Sequence, residues 1–158
     1  MPTNYAEFER QVQEAAKAGI EKFVELHRTV TLKGYQYTTA DTRSVSFQFG
    51  SPVWTGRFRA SFNVSVGAPN YAVKPPHPEI GNGLVWPDDP GAPYKTSGVA
   101  AAAAQIVGLQ PFDQTHIANG LPYARLIEKG YSIKAPAGVL NVVAERLAKE
   151  FDGVTIQT

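Results

Sequence analysis

Apolar residues recur every three or four positions at the start of the chain, then every second position, then in short bursts cut by proline and glycine. From Tyr5 to about Val30 they fall at Phe8, Val12, Ala15, Ala16, Gly19, Phe23 and Leu26. This spacing lines one face of a helix and predicts an amphipathic α-helix, with Asn4 placed to cap it. The other face carries Glu7, Arg10, Glu14, Lys17, Glu21, Lys22 and Glu25. There the Lys17/Glu21 attraction and the Glu21/Glu25 repulsion each count for only about a few tenths of a kcal/mol. A helix with one apolar face has to dock on something.

The period then drops to two. Val45, Phe47 and Phe49 alternate with Ser44, Ser46 and Gln48, and Phe62, Val64 and Val66 alternate with Asn63 and Ser65. Both runs predict half-buried strands that neighbour each other in an antiparallel sheet. Gly50, Ser51 and Pro52 break the chain between them, and Val53 to Ala60 predicts a turn of helix. The stretch 68–98 holds seven of the twelve prolines, Pro69, Pro75, Pro76, Pro78, Pro87, Pro90 and Pro93, with glycines at 81, 83, 91 and 98. Such a segment cannot be regular throughout and predicts a long loop. Tyr71, Trp86 and Tyr94 inside it supply apolar surface that a disordered linker lacks, so the loop is expected to order against a partner or a neighbouring subunit.

The alanine-rich run Val99 to Val107 predicts a short helix, and Gln114 to Ala118 a strand. Pro122 to Lys129 predicts a helix stopped by Gly130. Pro136 is expected to open a last helix whose Leu140, Val143, Leu147 and Phe151 form a stripe before Gly153. The closing Val-Thr-Ile-Gln-Thr reads either as a frayed tail or as an added strand. The whole is an α+β chain: a twisted antiparallel sheet packed by a long N-terminal and a C-terminal helix, one domain over 1–158 with the loop as an insertion.

Composition narrows the function classes. At 158 residues the chain is long enough for a hydrophobic core. Fifteen lysines and arginines stand against fourteen aspartates and glutamates, without the basic excess that draws proteins to phosphate backbones or anionic lipid. The absence of cysteine removes disulfides, thiolate metal sites and a thiol nucleophile. No apolar run reaches membrane-spanning length, and Met1 to Arg10 lacks the pattern of a secretory signal, so the expectation is a soluble protein that stays where it is made.

Candidate chemistry is sparse. His27, His77 and His116 are widely separated, with no second ligand type at zinc-site spacing. Asp88 and Asp89 sit between prolines, where turn chemistry accounts for them. Signatures for nucleophilic attack, phosphate cradling and zinc hydrolysis are missing, so no catalytic residue, cofactor or metal is assigned and an enzyme is not expected. Arg57 and Arg59 beside Trp54 and Phe58 have no base or nucleophile near them in sequence. They have the composition of a protein–protein hot spot, although a solvated turn beside core aromatics fits the same spacing.

Two segments carry a resemblance. Thr55 to Val66 (TGRFRASFNVSV) resembles the TGRLRxSxxVxV segment of siphophage neck, minor tail and tail-completion proteins, the lambda Z-like head–tail joining group. Ala118 to Ser132 (ANGLPYARLIEKGYS), followed by Ala135 to Gly138 (APAG), is similar to the NxxPYAxxLExGxSxQAPxG stretch of the same group. The motifs cover about a third of the chain. Lys134 replaces a common glutamine, Phe58 and Ile127 are conservative replacements, and the proline-rich loop looks like an insertion. The resemblance implies a virion protein, made in the bacterial cytoplasm, that completes the tail and joins it to the head. Its implied partners are tail-tube or terminator and connector proteins, in a hexameric or ring-bound state. The subunit-interface candidates are Arg57, Arg59, Tyr71, Trp86, Tyr94, Tyr123, Glu128 and Tyr131, the charged ones giving register more than affinity. The neighbouring alternatives are a tail terminator or another minor tail component. From another class comes a nucleic-acid-binding or assembly-chaperone module using the two arginines and the loop aromatics.

Overall fold

The computed structural model describes residues 3–40, 51, 56–76, 94 and 96–153. The strand expected at 44–49, Trp54 and Trp86 lie outside them. The fold is α+β. Helix α1 (Thr3–Thr39) is followed by the single turn α2 (Arg57–Ala60), strand β1 (Phe62–Val66), helix α3 (Gly98–Gln105), strand β2 (Thr115–Asn119), helix α4 (Ala124–Glu128) and helix α5 (Leu140–Glu150).

Helix α1 is 37 residues long and overruns its expected end near Val30. Residues 31–39 (TLKGYQYTT) contain glycine and β-branched threonine, which disfavour helix, yet the threonines find local partners. Thr31 Oγ1 donates to the His27 carbonyl at 2.9 Å, Thr38 Oγ1 to that of Gly34 at 2.7 Å and Thr39 Oγ1 to that of Tyr35 at 2.8 Å. Each hydroxyl is satisfied on the preceding turn, while tertiary burial of Thr31, Tyr35 and Thr38 supplies the stabilisation that propensity does not. The helix already includes Thr3, so Asn4 sits inside it and not at its cap.

Strands β1 and β2 pair antiparallel, with Phe62 opposite Asn119, Val64 opposite Ile117 and Val66 opposite Thr115. The partner that β1 shows among the described residues is thus the segment expected at 114–118, shifted by one position. Tyr35, Phe58, Phe62, Val64, Ala102, Ile106, Leu121, Ala124, Ala135 and Val139 form the core, with Leu32, Val66, Ile117, Ile127 and Leu140 packed at its margin. Gly34 lets α1 approach closely: a Cβ there would lie 2.9 Å from Ile117 Cδ1 and 3.1 Å from Leu147 Cδ1. Burial pushes the Tyr35 phenol up in pKa, offset in part by hydrogen bonds from the Gly98 and Ser97 backbone at the start of α3.

Polar links tie α1 to the rest. His27 Nε2 and Thr31 Oγ1 lie 3.0 and 2.9 Å from Thr115 Oγ1 on β2, and Arg28 Nη2 donates to the Val107 carbonyl at 2.8 Å. Lys33 pairs with Glu150 at the end of α5, and Tyr37 donates to the same carboxylate at 2.7 Å. All of these bonds fall on the C-terminal half of α1.

Candidate subunit interface

The two motif segments are distant in sequence and adjacent in space. Phe58 of α2 packs edge-on against Phe62 at 5.1 Å between ring centroids and lies 6.3 Å from the Tyr123 ring. Asn119 Nδ2 donates to the Phe58 carbonyl at 2.8 Å. The helical turn, the β1–β2 pair and α4 therefore form one piece.

Glu128, an interface candidate from the sequence, is tied into that piece by hydrogen bonds within the chain. Its carboxylate accepts from the backbone N–H groups of Val139 and Leu140 at 3.0–3.2 Å. It thereby satisfies amides that the first turn of α5 leaves without helical partners, and sets negative charge at the positive end of that helix. Pro136 accordingly does not open α5, which begins four residues later at Leu140. Pro136 belongs to the turn between the helices, and its carbonyl sits where a Cβ on Gly130 would be, 2.4 Å away. Gly130 has φ +83° and Gly138 φ +80°, conformations that favour glycine. A Cβ at Gly138 would meet the Glu128 carbonyl and carboxylate at 2.8 Å. Gly130 stops α4 as expected: its N–H donates to Ile127 and the Tyr131 N–H to Leu126, at 2.9 and 3.1 Å.

Tyr94 is likewise held within the chain. It is 9% exposed and donates from its hydroxyl to the Pro75 carbonyl at 2.5 Å, so this loop aromatic folds back into its own chain. The described part of the loop does likewise. Asn63 Nδ2 donates to the Ala72 carbonyl at 2.6 Å, the Lys74 N–H to Ser61 Oγ at 3.2 Å, and Arg57 Nε to the Lys74 carbonyl at 2.7 Å. Residues 71–76 thus pack against β1 and α2 of their own chain. Arg57 anchors this segment and Arg59 is half-buried in α2. Tyr71, Tyr123 and Tyr131 remain at the surface. Burial of the Tyr123 ring edge pushes its phenol up in pKa, while the Arg57 charge pulls it down. Arg57, Tyr71 and Tyr123 share one region, since the Tyr71 carbonyl lies 2.0 Å from where a Cβ on Gly120 would stand.

Two apolar surfaces stand out among the described residues. The first surrounds Tyr131: Tyr131 is 77% exposed and Ile133 98%, beside half-exposed Leu126. The signal for it was present in the Leu126 and Ile133 flanks of the glycine turn. The second is the N-terminal half of α1, where Tyr5, Phe8, Val12 and Ile20 are all exposed. The stripe was legible there, and it finds nothing to dock on among the described residues. Alongside it a groove of about 650 Å³ runs between α1 and the turn 109–111, lined by Ala16, Ile20, Val24, Leu109 and Pro111 with Lys17, Glu21 and Arg28 at its rim.

Between α4, α5 and the β1–β2 pair lies a smaller cleft of about 350 Å³, floored by Phe58, Phe62 and Leu140 and edged by Arg125, Lys129 and Asn141. The carboxylate in it, Glu128, is engaged by the α5 amides, so the cleft offers an apolar floor with a cationic edge. Among the described residues no three His, Asp or Glu side chains cluster as metal ligands would, and no helix is long and apolar enough to cross a membrane. Set against protein-family models, curated proteins and solved structures, the chain matches none of them.

Proposed function

We propose that this chain is a structural subunit of a tailed-phage virion that completes the tail and joins it to the head at the neck. It acts by protein–protein assembly into or onto a ring. The observation that carries the reading is how the two phage-like motifs are used. Their glycines, Pro136 and Glu128 lock α4, α5 and the connecting turn together, and the result displays Leu126, Tyr131 and Ile133 on the surface. Large apolar side chains held outward on a braced turn suit a surface that mates with another subunit.

The partners in this reading are tail-tube or terminator and connector proteins. Electron microscopy of particles made without this chain is expected to show tails that fail to attach or that end wrongly. Normal infectious particles would overturn the proposal.

A further inference from the structure

The cleft between α4, α5 and the β1–β2 pair has one chemistry in its depth and another at its mouth. Phe58, Phe62, Ala124 and Leu140 line the depth, and the polar groups that reach it are already engaged. Asn119 donates from Nδ2 to the Phe58 carbonyl at 2.8 Å and accepts through Oδ1 from the Leu121 N–H at 3.1 Å. Both Glu128 oxygens accept from the α5 amides. The floor therefore suits a group that needs no hydrogen bond. At about 350 Å³ the space lies at the small end of ligand pockets, room for one large side chain and the backbone that carries it.

The mouth is cationic. Arg125 and Lys129 stand one helical turn apart on the cleft side of α4, and both are exposed. Neither makes a salt bridge or a side-chain hydrogen bond among the described residues, whereas Arg10 and Lys33 find carboxylates on their own chain. Like charges at this spacing repel each other, and the neighbouring carboxylate, Glu128, is turned to the α5 amides instead of to them. Asn141, exposed at the start of α5, adds an amide to the same rim.

We infer that this cleft receives a segment of another protein in which a leucine or aromatic side chain is flanked by aspartate or glutamate. The apolar side chain fills the floor of Phe58, Phe62 and Leu140, and the carboxylates pair with Arg125 and Lys129. The inference concerns a binding site and does not rest on the phage reading. Apolar burial supplies the affinity, and the two charges at the rim select an acidic segment over a neutral or basic one. A nucleotide fits less well. Its base would bring ring nitrogens and exocyclic groups to a floor with nothing left to bond them, and a chain of net charge +1 lacks the basic excess that draws a phosphate backbone.

The test is an NMR titration of the full-length chain with the blocked peptide acetyl-Asp-Phe-Glu-amide. Saturable shifts are expected at Ala124, Arg125, Lys129, Leu140 and Asn141. Acetyl-Asn-Phe-Gln-amide, which lacks the charge, and acetyl-Asp-Ala-Glu-amide, which lacks the ring, are each expected to bind on the order of 10-fold more weakly. Arg125→Glu and Lys129→Glu are each expected to weaken binding of the acidic peptide on the order of 5-fold, with a larger effect at low salt than at high. The double variant is expected to prefer acetyl-Lys-Phe-Lys-amide. Both side chains are exposed, so the variants keep the fold, which unchanged shifts away from the cleft verify. Inorganic phosphate alone is expected to leave Leu140 unmoved. No saturable shift at the cleft, equal binding of the charged and neutral peptides, or phosphate moving Leu140 as strongly as the acidic peptide does would each overturn the inference.

Discussion

The two halves of α1 carry similar proportions of apolar residues and are used in opposite ways. In the C-terminal half Thr31, Tyr35 and Thr38 are buried, threonine hydroxyls close on the preceding turn, and α3, α5 and β2 pack around the helix. In the N-terminal half Tyr5, Phe8 and Val12 face outward, and Arg10 pairs with Glu7 and Glu14 and Gln11 with Glu7, all within the helix itself. Exposed pairs of that kind contribute little to folding. The half with the poorer helix formers is the one that belongs to the core. The half with the better ones stands clear of it, and its conformation rests on propensity and local pairs until something covers it. One helix thus serves as a core element at one end and as a presented surface at the other.

The largest effect expected from this contrast is on stability. Tyr35→Ala removes a buried aromatic and is expected to cost about 3–5 kcal/mol. Phe8→Ala, measured at a dilution where the chain is monomeric, is expected to change stability by no more than about 0.5 kcal/mol. Urea unfolding of both variants checks the pair, and equal losses would erase the distinction between the halves. Next is the brace beneath the exposed turn. Glu128→Ala leaves the α5 amides uncapped and is expected to cost about 1–2 kcal/mol, with Glu128→Gln costing less because one carbonyl oxygen remains to accept. A loss in Glu128→Ala no greater than in a surface variant would show that the carboxylate does not cap α5.

A smaller, pH-dependent effect is expected where α5 clasps α1. The Lys33 ammonium and then the Tyr37 hydroxyl hold the Glu150 carboxyl below its ordinary range, and Glu150 in turn raises Lys33. The Glu150 contribution is therefore present above the ordinary glutamate pKa and is lost as pH falls through the depressed one. The Lys33 contribution is present below the ordinary lysine pKa and is lost as pH rises through the raised one. The unmodified chain should exceed Glu150→Gln in urea midpoint at neutral pH, and the gap should close in acid. A gap that widened on acidification would contradict that sign. The smallest effect is expected at Tyr131. Tyr131→Ser should alter stability by no more than about 0.5 kcal/mol and yet reduce capture of the chain by purified neck and tail subunits.

Much of the fold was legible because its signals are local. The three-and-four spacing named α1, Gly130 marked the end of α4, and Leu140, Val143 and Leu147 fell on α5. What escaped depends on partners far along the chain. The continuation of α1 past Val30 rests on threonine hydroxyls and on packing against β2 and α5, neither of which a propensity scale contains. The pairing of β1 with β2 joins segments separated by the loop and α3. At the candidate site the sequence held no sign of two long-range links within the chain: Glu128 caps a helix that begins twelve residues later, and Tyr94 reaches back to Pro75. Charge or an aromatic ring in a proline-rich setting suggests surface, and only the fold shows which of these residues it has taken for itself.

Amide hydrogen exchange along α1 tests the central claim most directly, with the chain dilute and alone and then assembled with its neighbouring subunits. The account predicts strong protection at 31–38 in both states, and weak protection at 5–20 that rises on assembly. Equal protection of the two halves in the dilute chain, or an N-terminal half left unprotected after assembly, would contradict it.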